Sequence, residues 1–294
     1  DAAIAEAAQA AGLNPVIVAN KAYETLEAET ATVVPWYRAS WYDASADSRH
    51  ARSFWSETLD LLQSRAATPD DIVLIHTVSI AEFTEIVGFY ESLNWGELAK
   101  LPAVFVILRR DPAEYPVSLL EDLKTKLRRV YKTADLPRRL RLCTDTEQLS
   151  QAWGDALGRP FTTLPIPFRH ELVDGLERRR EPKAPLQIVY LGDARNEKGY
   201  AHFPGMVQAL WKDYVQPGRV EVTLQSNYNM PGGEAGIPQA RLKLQRYPHG
   251  VTLLTEPMTP DAYYALLAKA DIVVLPYDPQ CYGRRSSGVL NEAL

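Results

Sequence analysis

The sequence predicts an α/β fold of two doubly wound, Rossmann-like domains that is incomplete at both termini. Short β-branched runs alternate with longer helical patterns along most of the 294 residues, which is typical of parallel sheets covered by helices. A stretch rich in proline and charge, residues 158–185, interrupts this alternation once and predicts a connector. We therefore expect an N-terminal domain over residues 1–176, a linker over 177–185 and a C-terminal domain over 186–294.

The N-terminal half contains the elements of one such domain. Its first helix, over residues 1–11, is closed by Gly12, because glycine readily adopts the left-handed conformation that ends many helices. The predicted strands lie at 15–20, 71–77, 102–110 and 141–144, and the predicted helices at 50–66, 79–94 and 117–132 and from 146. No strand precedes the first helix, so we expect the opening strand of a Rossmann domain to be missing.

The C-terminal half shows the alternation more clearly. Thr259 and Pro260 mark one helix start, because threonine caps helices and proline suits the first turn. The predicted strands cover 186–192, 219–226, 251–256 and 271–277, and the predicted helices cover 203–215, 238–246 and 260–270 and begin again near 287. The chain stops at Leu294 inside this last helix, which predicts a truncated domain and an isolated chain that is unstable or inactive.

The composition excludes several classes of protein. A formal net charge of -5 argues against a nucleic-acid binder that relies on overall positive charge. Cys143 and Cys281 lie far apart, without the spacing of a zinc site or a disulfide framework, and fit a reducing compartment. No apolar run reaches the ~20 residues that a membrane-spanning helix needs, and the N-terminus does not resemble a secretion signal. We expect a cytoplasmic protein.

Two loops at predicted strand ends contain residues suited to ligand binding. In parallel sheets, ligands bind at the carboxyl ends of the strands. The first loop, 193–199, places Arg195 and Lys198 ahead of a helix, and these two cations suit a diphosphate. The second, 278–288, gathers glycines, arginines and serines, with Glu292 about one turn into the following helix. Each loop alone also fits an ordinary solvated turn, whereas the pair predicts a phosphate site.

These segments resemble the retaining glycosyltransferases of family four, which share the GT-B fold of two Rossmann-like domains facing a cleft. YLGDARNEKGY at 190–200 is similar to the family's strand, glycine, basic residue and Lys-Gly segment, and 251–294 is similar to its closing donor-site segment. The resemblance implies a hexosyltransferase that uses a nucleoside diphosphate sugar and needs no metal or other cofactor. The chain also contains no Asp-x-Asp pair of the kind that holds a divalent ion in metal-dependent transferases.

The resemblance assigns roles to the matching positions. It places Arg195 and Lys198 against the donor diphosphate, and Glu292 against the ribose hydroxyls. Ser286, Ser287 and Gly288 would lie against the diphosphate or the sugar. One position departs from the family, which usually has two glutamates eight positions apart. The earlier of these positions is Arg284 here, so the identity of the donor sugar stays open.

Candidates for the acceptor side follow the strands of the N-terminal half. His76, Arg110 and Asp111 stand at strand ends, where they would position an acceptor hydroxyl, and a hydrogen-bonded structural histidine is the alternative for His76. Arg109 and Arg110 stand where the family has a histidine, so no general base is assigned. The resemblance instead implies that the donor phosphate takes the acceptor proton.

Two further features have open interpretations. The basic stretch 124–141 fits either a face that contacts anionic lipid or a solvated helix surface. The aromatic residues Trp36, Tyr37, Trp41 and Tyr42 fit either stacking on sugars or packing between domains.

The predicted function is transfer of a sugar from a nucleoside diphosphate sugar to a glycan, lipid-linked or small-molecule hydroxyl acceptor, in cell-envelope or exopolysaccharide synthesis. A nucleotide-sugar epimerase on the same fold is an alternative, although no acid/base pair is evident. A non-catalytic sugar-nucleotide-binding or scaffold protein is another, favoured by Arg284. A dehydrogenase is disfavoured because no Gly-x-Gly-x-x-Gly turn follows any strand. Peripheral contact with the inner face of the membrane would involve 124–141.

Overall fold

A computed structural model describes residues 2–21, 31–38, 48–132, 139–167, 185–227 and 234–294. The chain divides into two compact units, Asp1–Pro167 and Phe168–Leu294. The predicted linker lies outside the described residues except for Pro185, and so do Trp41, Tyr42 and Arg138, a residue of the basic stretch 124–141.

The first unit alternates strands and helices as the sequence predicts. Its elements in chain order are α1 (Ala2–Ala10), β1 (Val16–Asn20), β2 (Thr32–Tyr37), α2 (Ser48–Ser64), β3 (Ile72–Ile75), α3 (Ile80–Ser92), α4 (Trp95–Leu98), β4 (Ala103–Ile107), α5 (Val117–Val130), β5 (Leu140–Thr144), α6 (Glu147–Leu157) and β6 (Thr162–Thr163). The strands β3, β4, β5 and β6 form a parallel sheet in that order, and β1 pairs with β2 in a separate parallel sheet.

Two of these strands were not predicted, for local reasons. β2 contains Pro35, and a proline within a run argues against a strand because it has no N–H for the ladder. β6 has only two residues and lies in a proline-rich stretch. Strand signals of this kind are too short or too interrupted to separate from loops.

The core of the first unit lies between its sheet and its helices. α3 begins at a capping box, in which the Ser79 hydroxyl accepts from the Glu82 N–H and the Glu82 carboxylate accepts from the Ser79 N–H. α5 buries Leu123, Leu127 and Val130, which recur at the spacing of one helix face. These side chains pack with the inward residues of β4 and β5 in one apolar cluster.

The second unit is built on a four-stranded parallel sheet. Its elements are β7 (Leu186–Tyr190), α7 (Phe203–Leu210) with a π-helical turn at Trp211–Val215, β8 (Val220–Gln225), α8 (Ile237–Leu244), β9 (Val251–Leu254), α9 (Pro260–Lys269), β10 (Ile272–Val273), α10 (Pro279–Tyr282) and α11 (Gly288–Ala293). The predicted strand over 271–277 is much shorter than expected, because the chain leaves the sheet after Val274 and enters a segment containing Pro276.

Successive residues of β7 pack on opposite faces of this sheet. Ile188 and Tyr190 belong to one buried cluster, and Val189 belongs to another together with Leu191, the residue that follows the strand. A strand buried on both faces is the mark of a doubly wound sheet. The unit is therefore doubly wound, as the sequence predicts.

The strand order of the second sheet is β10-β7-β8-β9. The chain moves from β7 outward through β8 to β9 and then returns to the other side of β7 to form β10. The order of strands therefore reverses between β7 and β10. In open parallel sheets, ligands bind outside the carboxyl ends of the strands at such a reversal.

Candidate functional site

The candidate site lies at the carboxyl ends of β7 and β10, in two loops that we call the switch-point loops, residues 191–199 and 274–288. Both loops that the sequence singles out are thus next to each other. They touch directly, since the Asp278 N–H donates to the Glu197 carbonyl at 2.9 Å. Gly199 has φ of 73°, and a Cβ placed there would come within 1.9 Å of the Pro276 carbonyl oxygen. Only glycine lets the two backbones approach this closely.

Arg195 is held by two carboxylates of its own loop. Its guanidinium lies 3.0 Å from Glu197 and 3.3 Å from Asp193. Its Nε is buried and has no hydrogen-bond partner among the described residues. Burial by itself would lower the pKa of Arg195, but Glu197 and Asp193 outweigh it and raise that pKa. Arg195 therefore stays charged and is held in place, and its Nε–H has no hydrogen-bond partner among the described residues.

Lys198 differs from Arg195 in having no such partners. Within the part of the chain that the structure describes, its ammonium makes no hydrogen bond and no ion pair. Burial lowers the pKa of Lys198, and the nearby Arg195 lowers it further. A Cβ on Gly192 would come within 2.9 Å of the Lys198 Nζ, so the glycine leaves room for this ammonium beside the backbone. The Gly192 N–H donates to the Gln225 side chain at 2.6 Å, which ties this turn to the end of β8.

Arg285 joins the two loops through side chains. It lies 3.5 Å from the Glu197 carboxylate and stacks over the Tyr282 ring, with 4.8 Å between the guanidinium carbon and the ring centroid. Tyr282 in turn packs against Tyr277 with ring centroids 4.4 Å apart. The sequence pointed to Arg285 only as one of several cations in its loop. Its place beside Glu197 depends on the contact between the two loops.

The remaining predicted donor residues lie around α11. The Ser287 hydroxyl caps this helix by accepting from the Leu290 N–H at 3.3 Å, and it also lies 3.0 Å from the Tyr277 hydroxyl. Ser286 and Gly288 flank it. Glu292 accepts hydrogen bonds from Tyr263 and, at 3.4 Å, from Tyr264, both on α9. Neither tyrosine was a sequence-based candidate, because each stands about thirty positions away along the chain.

The carboxyl edge of the first unit's sheet brings together His76, Arg109 and Asp145. Nη2 of Arg109 lies 3.0 Å from Nε2 of His76, and the Thr77 hydroxyl lies 3.1 Å from Nδ1. Arginine only donates, so Nε2 accepts and the proton of the neutral ring sits on Nδ1. Burial, followed by Arg109, lowers the pKa of His76 to about 4. Burial also lowers the pKa of Arg109, and the buried Asp145 carboxylate opposes that shift.

The other two acceptor-side candidates have structural contacts. The Asp111 carboxylate caps a short 3-10 helix by accepting from the Ala113 N–H at 2.9 Å. Arg110 is exposed and lies 3.5 Å from Glu114, and its carbonyl accepts from the Trp153 indole at 2.9 Å. Their acceptor role stays a prediction, and Arg109, named in the sequence only as part of a basic pair, is the residue that meets His76.

The described residues contain no group of three or more His, Cys, Asp or Glu side chains arranged to hold a metal ion. No helix within the described ranges is both long and apolar enough to cross a membrane.

No protein-family model matches the chain, and no curated protein matches it by sequence. Solved structures do resemble it. A sucrose-phosphate synthase from Thermosynechococcus elongatus has a TM-score of 0.62 at 14% identity, covering 98% of this chain and 71% of the other. A trehalose-6-phosphate synthase, OtsA, has a TM-score of 0.61 at 15% identity, covering 99% and 76%. The catalytic domain of Starch Synthase IV from Arabidopsis thaliana, bound to ADP and acarbose, has a TM-score of 0.52 at 12% identity, covering 85% and 62%.

These likenesses, all at low identity, establish the fold. The chain has the α/β architecture of the GT-B glycosyltransferases, as the sequence predicts. It spans 59% of the length of a further OtsA structure, solved in the apo form.

Proposed function

We propose that this chain forms the greater part of a retaining glycosyltransferase that moves a sugar from a nucleoside diphosphate sugar to a hydroxyl acceptor. The observation that carries the proposal is the half-buried ammonium of Lys198, which makes no hydrogen bond and no ion pair within the described residues and lies where the strand order of the second sheet reverses. Burial of a cation that makes no direct ion pair is costly, and an anionic ligand in contact with it would reduce that cost.

The charges around Lys198 favour a diphosphate over a single carboxylate. Arg195 and Arg285 lie on either side of the Glu197 carboxylate and would present further donors to a second phosphate. During transfer, negative charge builds on the leaving nucleoside diphosphate as the bond between the sugar carbon and its oxygen breaks. Fixed cations stabilise that charge without a divalent ion, so we expect chelators to leave binding and transfer unchanged.

Glu292 would accept the two ribose hydroxyls of the donor, the role that an acidic residue plays in dinucleotide-binding folds. Ser286, Ser287 and Gly288 would lie against the diphosphate or the sugar. The starch synthase that resembles this chain was solved with ADP, which contains both a diphosphate and a ribose. Arg284 stands where a sugar-contacting glutamate is usual, so the donor sugar is left unnamed.

The acceptor would approach the edge of the first unit that contains His76 and Arg109. His76 is a poor general base in this arrangement, because Arg109 occupies its only lone pair and its pKa is low. In the proposed reaction, a bond forms from the acceptor oxygen to the sugar carbon on the face that the diphosphate leaves. The acceptor proton passes to a departing phosphate oxygen, so no protein base is needed.

The test is calorimetric titration of the full-length protein, in the presence of a chelator, with UDP, ADP and GDP and with the matching nucleosides. Replacing Lys198 by alanine should weaken binding of the preferred diphosphate by about ten- to a hundred-fold, the value of one charge-assisted hydrogen bond, and spare the nucleoside. Lys212→Ala removes an exposed lysine of the same unit and should change neither. Equal losses for diphosphate and nucleoside would contradict the assignment of Lys198.

A non-catalytic sugar-nucleotide-binding protein is the second candidate, favoured by Arg284 at the position of the missing carboxylate. It shares the binding prediction and differs in turnover. Diphosphate binding without transfer or hydrolysis of any nucleotide sugar would support it over the transferase.

The basic stretch 124–141 offers weaker support for a membrane role than its composition indicated. Lys124, Lys126 and Arg129 pair with Glu121, Asp122 and Glu91 at 3.2, 2.9 and 2.8 Å. Acidic partners reduce the positive potential that would attract anionic lipid. Peripheral contact, the cytoplasmic location and a role in envelope or exopolysaccharide synthesis stay predictions.

A further inference from the structure

We propose that Tyr263 and Tyr264 are positioning residues that hold the Glu292 carboxylate ready for a ribose diol and so make the site select ribonucleotides over deoxyribonucleotides. This inference rests on the proposed function of Glu292. It adds two residues that the sequence did not single out and a specificity that the fold alone does not imply.

The hydroxyls of two tyrosines donate to the same carboxylate. Tyr263 donates to Oε2 of Glu292, and Tyr264 donates to Oε1 at 3.4 Å. The two rings meet edge to face, with centroids 5.2 Å apart and planes at 87°. Consecutive residues of a helix normally point in different directions. Because both tyrosine hydroxyls nevertheless reach Glu292 on another helix, they hold its carboxylate from two sides.

A carboxylate engaged in this way still has capacity for a diol. An ionised carboxylate offers about four lone-pair sites, two on each oxygen. One tyrosine hydroxyl on each oxygen leaves one site free on each, which is the number that a pair of vicinal hydroxyls requires. The tyrosines therefore orient the acceptor atoms without using them up.

The helix that carries the tyrosines is itself well fixed. Thr259 caps α9 by accepting from the Ala262 N–H, and Pro260 occupies its first turn. The Tyr263 ring packs in the cluster formed by Val189 of β7 and the adjacent Leu191, together with Val289 of α11. Burial raises the pKa of Tyr263, and its hydrogen bond to Glu292 raises it further, so the phenol keeps the proton that it donates.

Holding the glutamate in advance has a thermodynamic consequence. A free glutamate side chain has several rotamers, and fixing it upon ligand binding costs conformational entropy. When the protein has already fixed it, more of the hydrogen-bond free energy appears as affinity for the ligand. The gain is realised only with a ligand that has ribose hydroxyls, so it appears as selectivity and not as general affinity.

The test compares two ligands in matched variants of the full-length protein. Calorimetry measures the affinities of UDP, ADP and GDP and of their 2′,3′-dideoxy counterparts, and the readout is the ratio of the two affinities for the preferred base. Tyr263→Phe keeps the packed ring and removes the hydroxyl, and it should lower this ratio by about three- to ten-fold, the value of one hydrogen bond. Tyr264→Phe should lower it less because its bond is longer, and Tyr214→Phe, at an exposed ring elsewhere in the unit, should leave it unchanged.

The outcomes separate this inference from the function on which it rests. A fall in ribonucleotide affinity with unchanged dideoxynucleotide affinity supports the positioning role. Equal losses for both ligands, or a higher ratio in Tyr263→Phe, would overturn it, because the tyrosine would then be structural or would compete with the ribose. Glu292→Ala should abolish the preference. A preference that survives Glu292→Ala would overturn the ribose assignment itself.

Discussion

Replacing Gly199 by alanine should push the two switch-point loops apart. Gly199 sits in the left-handed region, with φ of 73°, and its Cα faces the backbone of Pro276. A Cβ at this position would lie 1.9 Å from the Pro276 carbonyl oxygen, 2.8 Å from the carbonyl carbon and 2.9 Å from the ring. Because the obstacles are backbone and a proline ring, no flexible side chain is available to move aside.

Two terms set the size of the effect. The left-handed conformation costs a residue with a Cβ about 1–2 kcal/mol. Relieving the overlap requires the Pro276 carbonyl to retreat, which endangers the neighbouring hydrogen bond from the Asp278 N–H to the Glu197 carbonyl, worth about 1 kcal/mol. We expect Gly199→Ala to lower the free energy of unfolding by about 2–3 kcal/mol and to weaken diphosphate binding in parallel.

Two other glycines of the same unit separate these terms. Gly218 also has positive φ, 72°, but a methyl group at its Cα would meet no described atom within 4 Å, so Gly218→Ala should show the conformational cost alone. Gly205 lies in α7 with open space around it, and Gly205→Ala should be neutral or stabilising by up to about 1 kcal/mol. Urea unfolding and calorimetry with the preferred nucleoside diphosphate measure both effects. A Gly199→Ala protein no less stable than Gly218→Ala would refute the close approach of the loops.

Three further predictions concern pH and packing. Because the pKa of Lys198 lies below its ordinary 10.5, the affinity for the diphosphate should fall as pH rises through that lowered value. Lys198→Arg stays charged over this range and should flatten the fall. An equal fall of affinity with pH in both proteins would contradict a contact between Lys198 and the diphosphate. The pKa of His76 is about 4 in the folded protein and near 6.5 when unfolded, so the unfolded chain binds the extra proton first. The contribution of His76 to the free energy of unfolding should therefore be constant above pH 6.5 and fall between pH 6.5 and 4. Urea unfolding of His76→Gln should show a shallower fall over this range than the wild type, and an equal fall in both proteins would contradict a buried neutral imidazole. Trp153→Phe removes a buried indole whose N–H donates to the Arg110 carbonyl, and it should cost about 2 kcal/mol in the same assay, with a loss below about 0.5 kcal/mol arguing against this packing.

Much of the fold follows from periodicity. Ala103–Ile107 is a short apolar run, and in Val220–Gln225 apolar and polar residues alternate, so in both cases strand assignment depends only on local sequence. β2 and β10 show the limit of this reasoning. Whether a run that contains or precedes a proline pairs with a neighbour depends on the partner strand, which local sequence does not contain.

The candidate site was predictable in position more than in detail. Arg195 and Lys198 follow β7 in the sequence, and the α/β alternation alone places them at the carboxyl end of a strand. Their difference was not predictable, because Arg195 is neutralised by carboxylates while Lys198 has no such partner among the described residues, and this depends on how the loop folds. The contact of Tyr263 with Glu292 joins residues of two helices and requires the packed structure.

The proposed function requires that the second unit bind a nucleoside diphosphate at the switch-point loops. The decisive measurement is a crystal structure of the full-length protein with its preferred nucleoside diphosphate. We expect phosphate oxygens within hydrogen-bond distance of the Lys198 Nζ and ribose hydroxyls on the Glu292 carboxylate. A nucleotide bound away from both residues, or a Lys198 side chain turned away from the phosphates, would contradict it.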